Sequence, residues 1–352
     1  MNNTYRIIDA NANRVCEGLR VIEDWLRFVA ENQELTAEVK AMRHTIRDTL
    51  RELDGKILLK RAASTDVGLA VSQAETAHGK EQLLPANFKR VQEGLRVIEE
   101  SLKLLQYPSL AKAVERCRFH TYTLEQLVQP LTAMAKKRQA LATDLYGLTA
   151  REFSRGRSNV EMVRAMIDGG IRLIQYREKD LTPKEKLKEC DTIRHLTREA
   201  GVTFIVNDHP DLALLVEADG IHLGQDDLDP VRVRRLVGPE PIIGLSTHSP
   251  QQGRAALTQQ VDYIGVGPIF PTFTKKDVCP PVGLEYLDYA VENIPLPFVA
   301  IGGIKEHNLR QVLQRGAKLV ALVTEITGAE NIPQKIKTLR KIIQEERDKH
   351  EL

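Results

Sequence analysis

The chain has 352 residues, 42% of them hydrophobic and 28% charged, which is more than one domain usually holds and enough to bury real cores. Fifty Lys and Arg stand against 48 Asp and Glu, a net charge of +2 that argues against a nucleic-acid or membrane surface. Cys16, Cys117, Cys190 and Cys279 lie far apart with no CxxC pair, which disfavours structural zinc and a disulfide scaffold, and no run approaches the length of a membrane span, so a cytoplasmic protein is expected.

The first elements repeat. RVCEGLRVIED at 14–24 returns as RVQEGLRVIEE at 90–100, an offset of 76 residues that also relates Asn11 to Asn87 and His44-Thr45 to His120-Thr121. Val15, Leu19, Ile22 and Leu26, and again Val91, Leu95, Ile98 and Leu102, fall at the spacing of an amphipathic helix. The spacing predicts two copies of a long helix followed by a second helix, an all-α domain over residues 1–135. Asn11, Arg14 and Gly18 edge the first stripe, as Asn87, Arg90 and Gly94 edge the second. A mid-helix glycine costs about 1 kcal/mol relative to alanine, so each marks close approach by another helix or by a ligand. Packed hairpins with satisfied ion pairs and a polar pocket between hairpins are both open readings. No GxxxxGK[ST] phosphate loop occurs.

Residues 136–143 read as a linker. Over residues 144–352, β-rich runs alternate with helical stretches: DLYGLTA, IRLIQYRE, TFIVND, DGIHLG, PIIGLSTH, YIGVGPI, PFVAIGG and KLVALVT. Eight regular βα units without a GxGxxG predict a closed (β/α)8 TIM barrel of the α/β class rather than an open sheet, with its site at the carboxyl ends of the strands.

Those ends are polar. Gln175, Arg177 and Lys179 alternate at period 2, a set of donors suited to a polyphosphate. Asp208 and Asp227 can bracket a hard cation such as Mg2+. Thr272, Thr274 and Lys275 follow the sixth strand, Gly302-Gly303 the seventh and a Val323-Thr324 turn the eighth, where barrels bind phosphate through backbone N–H groups. Asn207, Ser246, His222 and His248 complete the rim, with His222 a candidate substrate contact and His248 ranking below it as a carrier of protons. Two anion sites in one mouth point to two phosphorylated substrates and release of pyrophosphate.

QYREK, VNDHPDLAL, ADGIHLGQDD, IIGLSTH, DYIGVGPIFPTFTKKD, VAIGGI and VALVT closely resemble the thiamine-phosphate synthase (thiamine-phosphate pyrophosphorylase) family. The resemblance implies a Mg2+-assisted transferase of thiamine biosynthesis. It joins 4-amino-2-methyl-5-hydroxymethylpyrimidine diphosphate to 4-methyl-5-(2-hydroxyethyl)thiazole phosphate, with dissociative loss of pyrophosphate before the thiazole nitrogen attacks. By motif, Gln175, Arg177, Lys179, Asn207, Ser246 and Lys275 would hold the pyrimidine diphosphate and Asp208 and Asp227 the metal. Thr272, Thr274, Gly303, Val323 and Thr324 would hold the thiazole phosphate. NANRVCEGLRVIED and its copy resemble the ThiD2-type domain fused to some of these synthases, which implies ATP and phosphorylation of the pyrimidine monophosphate.

The sequence departs from the family at Ala150, where many relatives have aspartate, and at Thr324, where serine is common. A thiazole tautomerase-like isomerase would share the barrel but has no need of a diphosphate cradle. A regulator binding thiamine precursors would have no need of both aspartates. For the first domain a dimerisation scaffold rivals the kinase, and whether the chain forms homo-oligomers stays open.

Overall fold

The computed structural model describes residues 2–58, 82–274 and 279–350, and the chain divides into two compact units, 1–135 and 136–352. Lys275 lies outside the described residues.

The first unit is helical: α1 (Asn2–Phe28), α2 (Gln33–Leu50), the short α3 (Asp54–Leu58), α4 (Leu83–Leu104) and α5 (Pro108–Leu141), whose end belongs to the second unit. Asn32 starts α2 by accepting the Leu35 N–H at 2.9 Å. The two repeated phrases lie on α1 and α4, and all eight residues of their apolar stripes are fully buried.

The polar residues of the repeat sort into packing roles. A β-carbon on Gly18 would meet Val91 Cγ2 at 2.8 Å, and one on Gly94 would meet Val15 Cγ2 at 2.6 Å. Each glycine therefore admits the valine that follows the repeated arginine in the other copy, so α1 and α4 cross at a reciprocal contact. Glu23 accepts from Arg43 Nε at 3.1 Å and Nη2 at 2.9 Å. Glu99, 1% exposed, accepts from Lys103 at 2.6 Å, Arg96 at 2.9 Å and Arg118 at 3.1 Å. Arg14 and Arg90 face solvent, which favours packed hairpins with satisfied ion pairs over a polar pocket lined by the repeat.

The second unit is an all-parallel sheet in sequence order: β1 (Tyr146–Leu148), β2 (Leu173–Tyr176), β3 (Thr203–Asn207), β4 (Gly220–Leu223), β5 (Ile242–Thr247), β6 (Tyr263–Val266), β7 (Phe298–Ile301) and β8 (Val320–Ala321). A parallel bridge between Leu145 and Val320, with the Val320 N–H donating to the Asp144 carbonyl at 3.0 Å, joins the last strand to the first. The capping boxes of Ser158 with Glu161 and Thr182 with Glu185 start two of the outer helices.

Apolar side chains alternate between two layers, as period 2 requires. Ile174, Phe204, Val206, Ile221, Ile243 and Ile264 join the outer core under the helices, while Tyr146, Leu148, Leu173, Ile205, Tyr263 and Val299 fill the barrel with Leu141. Strand β8 is shorter than KLVALVT predicts, because Val323 already begins the helix Val323–Thr327. Val323 and Thr324 thus belong to a first helical turn rather than to a turn after a long strand.

Candidate active site

Strand β2 ends at Tyr176, so of the three alternating residues only Gln175 lies within the strand. It is 2% exposed and donates from Nε2 to the Tyr146 hydroxyl at 3.0 Å, below the rim where Arg177 and Lys179 stand. Thr149 clamps the backbone of Arg177, accepting its N–H at 2.8 Å and donating to its carbonyl at 3.0 Å. The half-buried Arg177 guanidinium has no hydrogen-bond or ion-pair partner among the described residues, which leaves its five donors for a ligand.

Asp208 takes φ 63°, a left-handed conformation that aspartate tolerates better than most residues. Its N–H donates to the His222 carbonyl at 2.9 Å, and its carboxylate pairs with the Lys179 ammonium. Asp227 arrives from the loop after β4, where its Oδ2 accepts the Gly224 N–H at 2.6 Å. Loss of hydrating water pushes the Asp227 carboxyl above the usual aspartate range, and hydrogen bonding and charge from Asp208 push the same way against Gly224 and Lys179. Two carboxylates this close call for a proton or a cation.

A second cluster forms where the loop after β6 meets the end of β7. The N–H groups of Ile269 and Phe270 donate to the carbonyls of Ile301 and Gly302, each at 3.0 Å. Gly303 has φ 65°, and a β-carbon there would stand 2.6 Å from the carbonyl oxygens of Phe270 and Pro271. Thr272 and Thr274 share a hydroxyl contact of 3.0 Å on this loop. The Thr324 hydroxyl accepts from Lys305 Nζ at 2.6 Å.

Between the clusters, His222 Nε2 meets Ser246 Oγ at 3.0 Å and His222 Nδ1 meets the Tyr263 hydroxyl at 2.9 Å. Asn207 pairs with His222 in the β3–β4 register. His248 lies apart from this contact. Its Nδ1 donates to the Gly267 carbonyl at 2.5 Å, an anchoring role.

The motifs assign no role to four polar contributors. Lys305 follows the glycines and reads as a helix-start residue. Thr149, Tyr146 and Tyr263 sit within β-rich runs and read as core. Only the register that turns Tyr146 and Tyr263 toward the same interior as Gln175 distinguishes them.

A closed parallel barrel with its polar side chains gathered after the strands defines a (β/α)8-barrel enzyme class whose chemistry sits in the βα loops. A family model for thiamine monophosphate synthase matches residues 145–326, and the chain belongs to the thiamine-phosphate synthase family. A thiamine-phosphate synthase of Pelotomaculum thermopropionicum is 66% identical over 208 residues, covering 59% of this chain and 95% of that protein. One from Synechocystis is 40% identical over 335 residues, covering 94% of this chain and 93% of that protein, so it spans both units. The structure of the thiamine phosphate pyrophosphorylase of Pyrococcus furiosus covers 59% of this chain and 98% of its own, at 36% identity and a TM-score of 0.54. The ThiD2 family matches residues 6–127. Among the described residues no helix is long and apolar enough to cross a membrane.

Proposed function

We propose that the barrel makes thiamine phosphate and pyrophosphate from 4-amino-2-methyl-5-hydroxymethylpyrimidine diphosphate and 4-methyl-5-(2-hydroxyethyl)thiazole phosphate, using the residues around Asp208 and Asp227. The observation that carries this reading is the crowded carboxylate pair beside Lys179 and Arg177, whose guanidinium has no partner among the described residues. The donor set fits Mg2+. Two hard carboxylates are present, and among the described residues no group of three His, Cys, Asp or Glu closes a cage, so phosphate oxygens and water would complete the shell. When bound, the metal neutralises charge on the departing diphosphate.

The chain's own residues supply the rest. Arg177, Lys179 and Lys275 bind the diphosphate oxygens, with Asn207 and Ser246 beside them and Gln175 beneath. Arg177 is worth most where charge builds up as the carbon–oxygen bond breaks, because its fork of donors can offset the charge on the departing oxygens. Thr272, Thr274, Gly303, Val323 and Thr324 hold the thiazole phosphate, with Lys305 adding a cation, so the thiazole nitrogen is oriented toward the carbon the diphosphate leaves. His222, hydrogen-bonded to Ser246, is a further substrate contact. No strong base is needed, because the nitrogen attacks with its own lone pair.

The ThiD2 match favours a second activity in the first unit, transfer of a phosphoryl group from ATP to the pyrimidine monophosphate. The domain limits 1–135, 136–143 and 144–352 and a cytoplasmic location belong to this same reading. The test is thiamine phosphate formation by the purified chain with Mg2+ and thiazole phosphate, given either the pyrimidine diphosphate or the monophosphate with ATP. Product from both supports two enzymes in series. Product from the diphosphate alone removes the kinase and leaves the helices as scaffold, and product from neither removes the synthase.

A further inference from the structure

A continuous hydrogen-bonded chain crosses the barrel interior below the mouth: Gln175 Nε2 to the Tyr146 hydroxyl at 3.0 Å, Tyr146 to the Tyr263 hydroxyl at 2.9 Å, Tyr263 to His222 Nδ1 at 2.9 Å, and His222 Nε2 to Ser246 Oγ at 3.0 Å. Tyr146 is 2% exposed and Tyr263 fully buried. Room for the chain is built in. A β-carbon on Gly244 would stand 2.2 Å from Tyr263 Cζ and 2.5 Å from His222 Nδ1.

The protons fix its direction. An amide nitrogen can only donate, so the Tyr146 oxygen accepts from Gln175. Among the described residues the other polar group bonded to the Tyr146 hydroxyl is that of Tyr263, and the Tyr146 hydrogen goes there. The Tyr263 hydrogen then falls to His222 Nδ1, which makes Nδ1 the acceptor and puts the ring hydrogen on Nε2. Nε2 donates to Ser246 Oγ, and the Ser246 hydrogen is left to point elsewhere. With the Gln175 amide nitrogen on Tyr146, running the chain the other way would strand the Tyr146 hydroxyl hydrogen without an acceptor in a dry interior, the arrangement buried polar groups avoid. Burial also raises both phenols, so neither gives up its hydrogen.

We propose that Tyr146 and Tyr263 are positioning residues that hold His222 as its Nε2–H tautomer, so that Ser246 presents its hydroxyl hydrogen outward as a donor to the leaving diphosphate. The proposal rests on Ser246 lying beside that group. The two tyrosines touch no substrate and act through His222.

The test joins a spectroscopic readout to a kinetic one in the full chain. Imidazole 15N shifts of His222, assigned by their loss in His222→Asn, should report Nε2–H in the unliganded wild type and a changed tautomer in Tyr263→Phe. Turnover should fall about 10²-fold in Ser246→Ala, the scale of one lost preorganised donor. It should fall less in Tyr263→Phe at nearly unchanged KM, and the double variant should be no slower than Ser246→Ala alone. Tyr146→Phe should reproduce the Tyr263→Phe result, which guards against a packing defect peculiar to one ring. An Nδ1–H tautomer in the wild type, or losses that multiply in the double variant, would overturn the relay. Nε2–H together with full turnover in both Ser246→Ala and Tyr263→Phe would instead overturn the placement of Ser246, and the proposal with it.

Discussion

Gly303 faces Phe270 so closely that a β-carbon on the glycine would stand 2.6 Å from the Phe270 carbonyl oxygen. With φ at 65°, the position also disfavours any side chain. Gly303→Ala must therefore push the loop carrying Thr272 away from the end of β7. KM for the thiazole phosphate should rise roughly tenfold or more, about 1.4 kcal/mol or more of binding. KM for the pyrimidine diphosphate should stay near its wild-type value in steady-state assays of both substrates. A rise confined to the pyrimidine substrate would move Gly303 out of the thiazole-phosphate site.

Arg177 is held by its backbone through Thr149, while its guanidinium has no partner among the described residues. Arg177→Ala should lower kcat by about 10²-fold or more, the effect of removing one preorganised donor from a developing charge. Circular dichroism should show an intact fold. Arg177→Lys should recover only part of the rate, because a point charge replaces a fork of donors.

Asp208→Asn removes one of the two crowded carboxylates. The Mg2+ concentration for half-maximal synthesis should rise at least about tenfold, the lower end of what even a supporting residue contributes to metal affinity. A Mg2+ titration of initial rates measures it. An unchanged titration curve would take Asp208 out of the metal site.

Burial pushes the Glu99 carboxyl upward, but hydrogen bonds from Lys103 and Arg118 outweigh it and hold the group below the usual glutamate range. A carboxylate depressed in the folded state contributes stability that is fully present above the unfolded value, about 4.3, and is lost as pH falls through the folded one. Thermal unfolding of the wild type should therefore weaken below about pH 4.5. Glu99→Gln should be less stable near neutrality and should show a shallower acid limb.

Alanine is the better helix former, yet Gly94→Ala should destabilise the first unit by about 1–3 kcal/mol, the usual cost of overpacking. The added methyl would lie 2.6 Å from Val15 Cγ2. Chemical denaturation gives the number, and Val15→Ala in the same chain should recover part of it. A stabilised Gly94→Ala protein would show that α1 and α4 are not in close contact there.

Most of the architecture was legible because periodicity is a local property. The two stripes ending in Leu26 and Leu102, and the strand ends at Asn207 and Thr247, follow from spacing alone. The end of β8 was not legible, because VALVT suits a strand and a helical first turn equally, and tertiary closure decides between them. The deeper part of the site was hidden for another reason. Tyr146 and Tyr263 are 117 residues apart in sequence, and only the barrel brings their hydroxyls to 2.9 Å. Motif spacing also could not reveal that Gln175 sits beneath the rim rather than on it. Whether Gly18 and Gly94 served packing or a ligand needed the facing valines.

The reciprocal crossing of α1 and α4 has a consequence for assembly. A hairpin that packs on a copy of itself presents a self-complementary surface, and a chain carrying one hairpin would have to meet a second chain to cover it. Tethering the copies makes that meeting intramolecular, at an effective concentration set by the connecting segment rather than by expression level. It also releases the copies from identity, since a substitution in a homodimer appears twice and a substitution here appears once. The buried glutamates display that freedom: Glu23 is held by Arg43, while its counterpart Glu99 uses Arg118, one position out of step with the 76-residue offset, and adds Lys103; Arg20 and Arg96 reach their glutamates alike, at 3.9 Å and 2.9 Å.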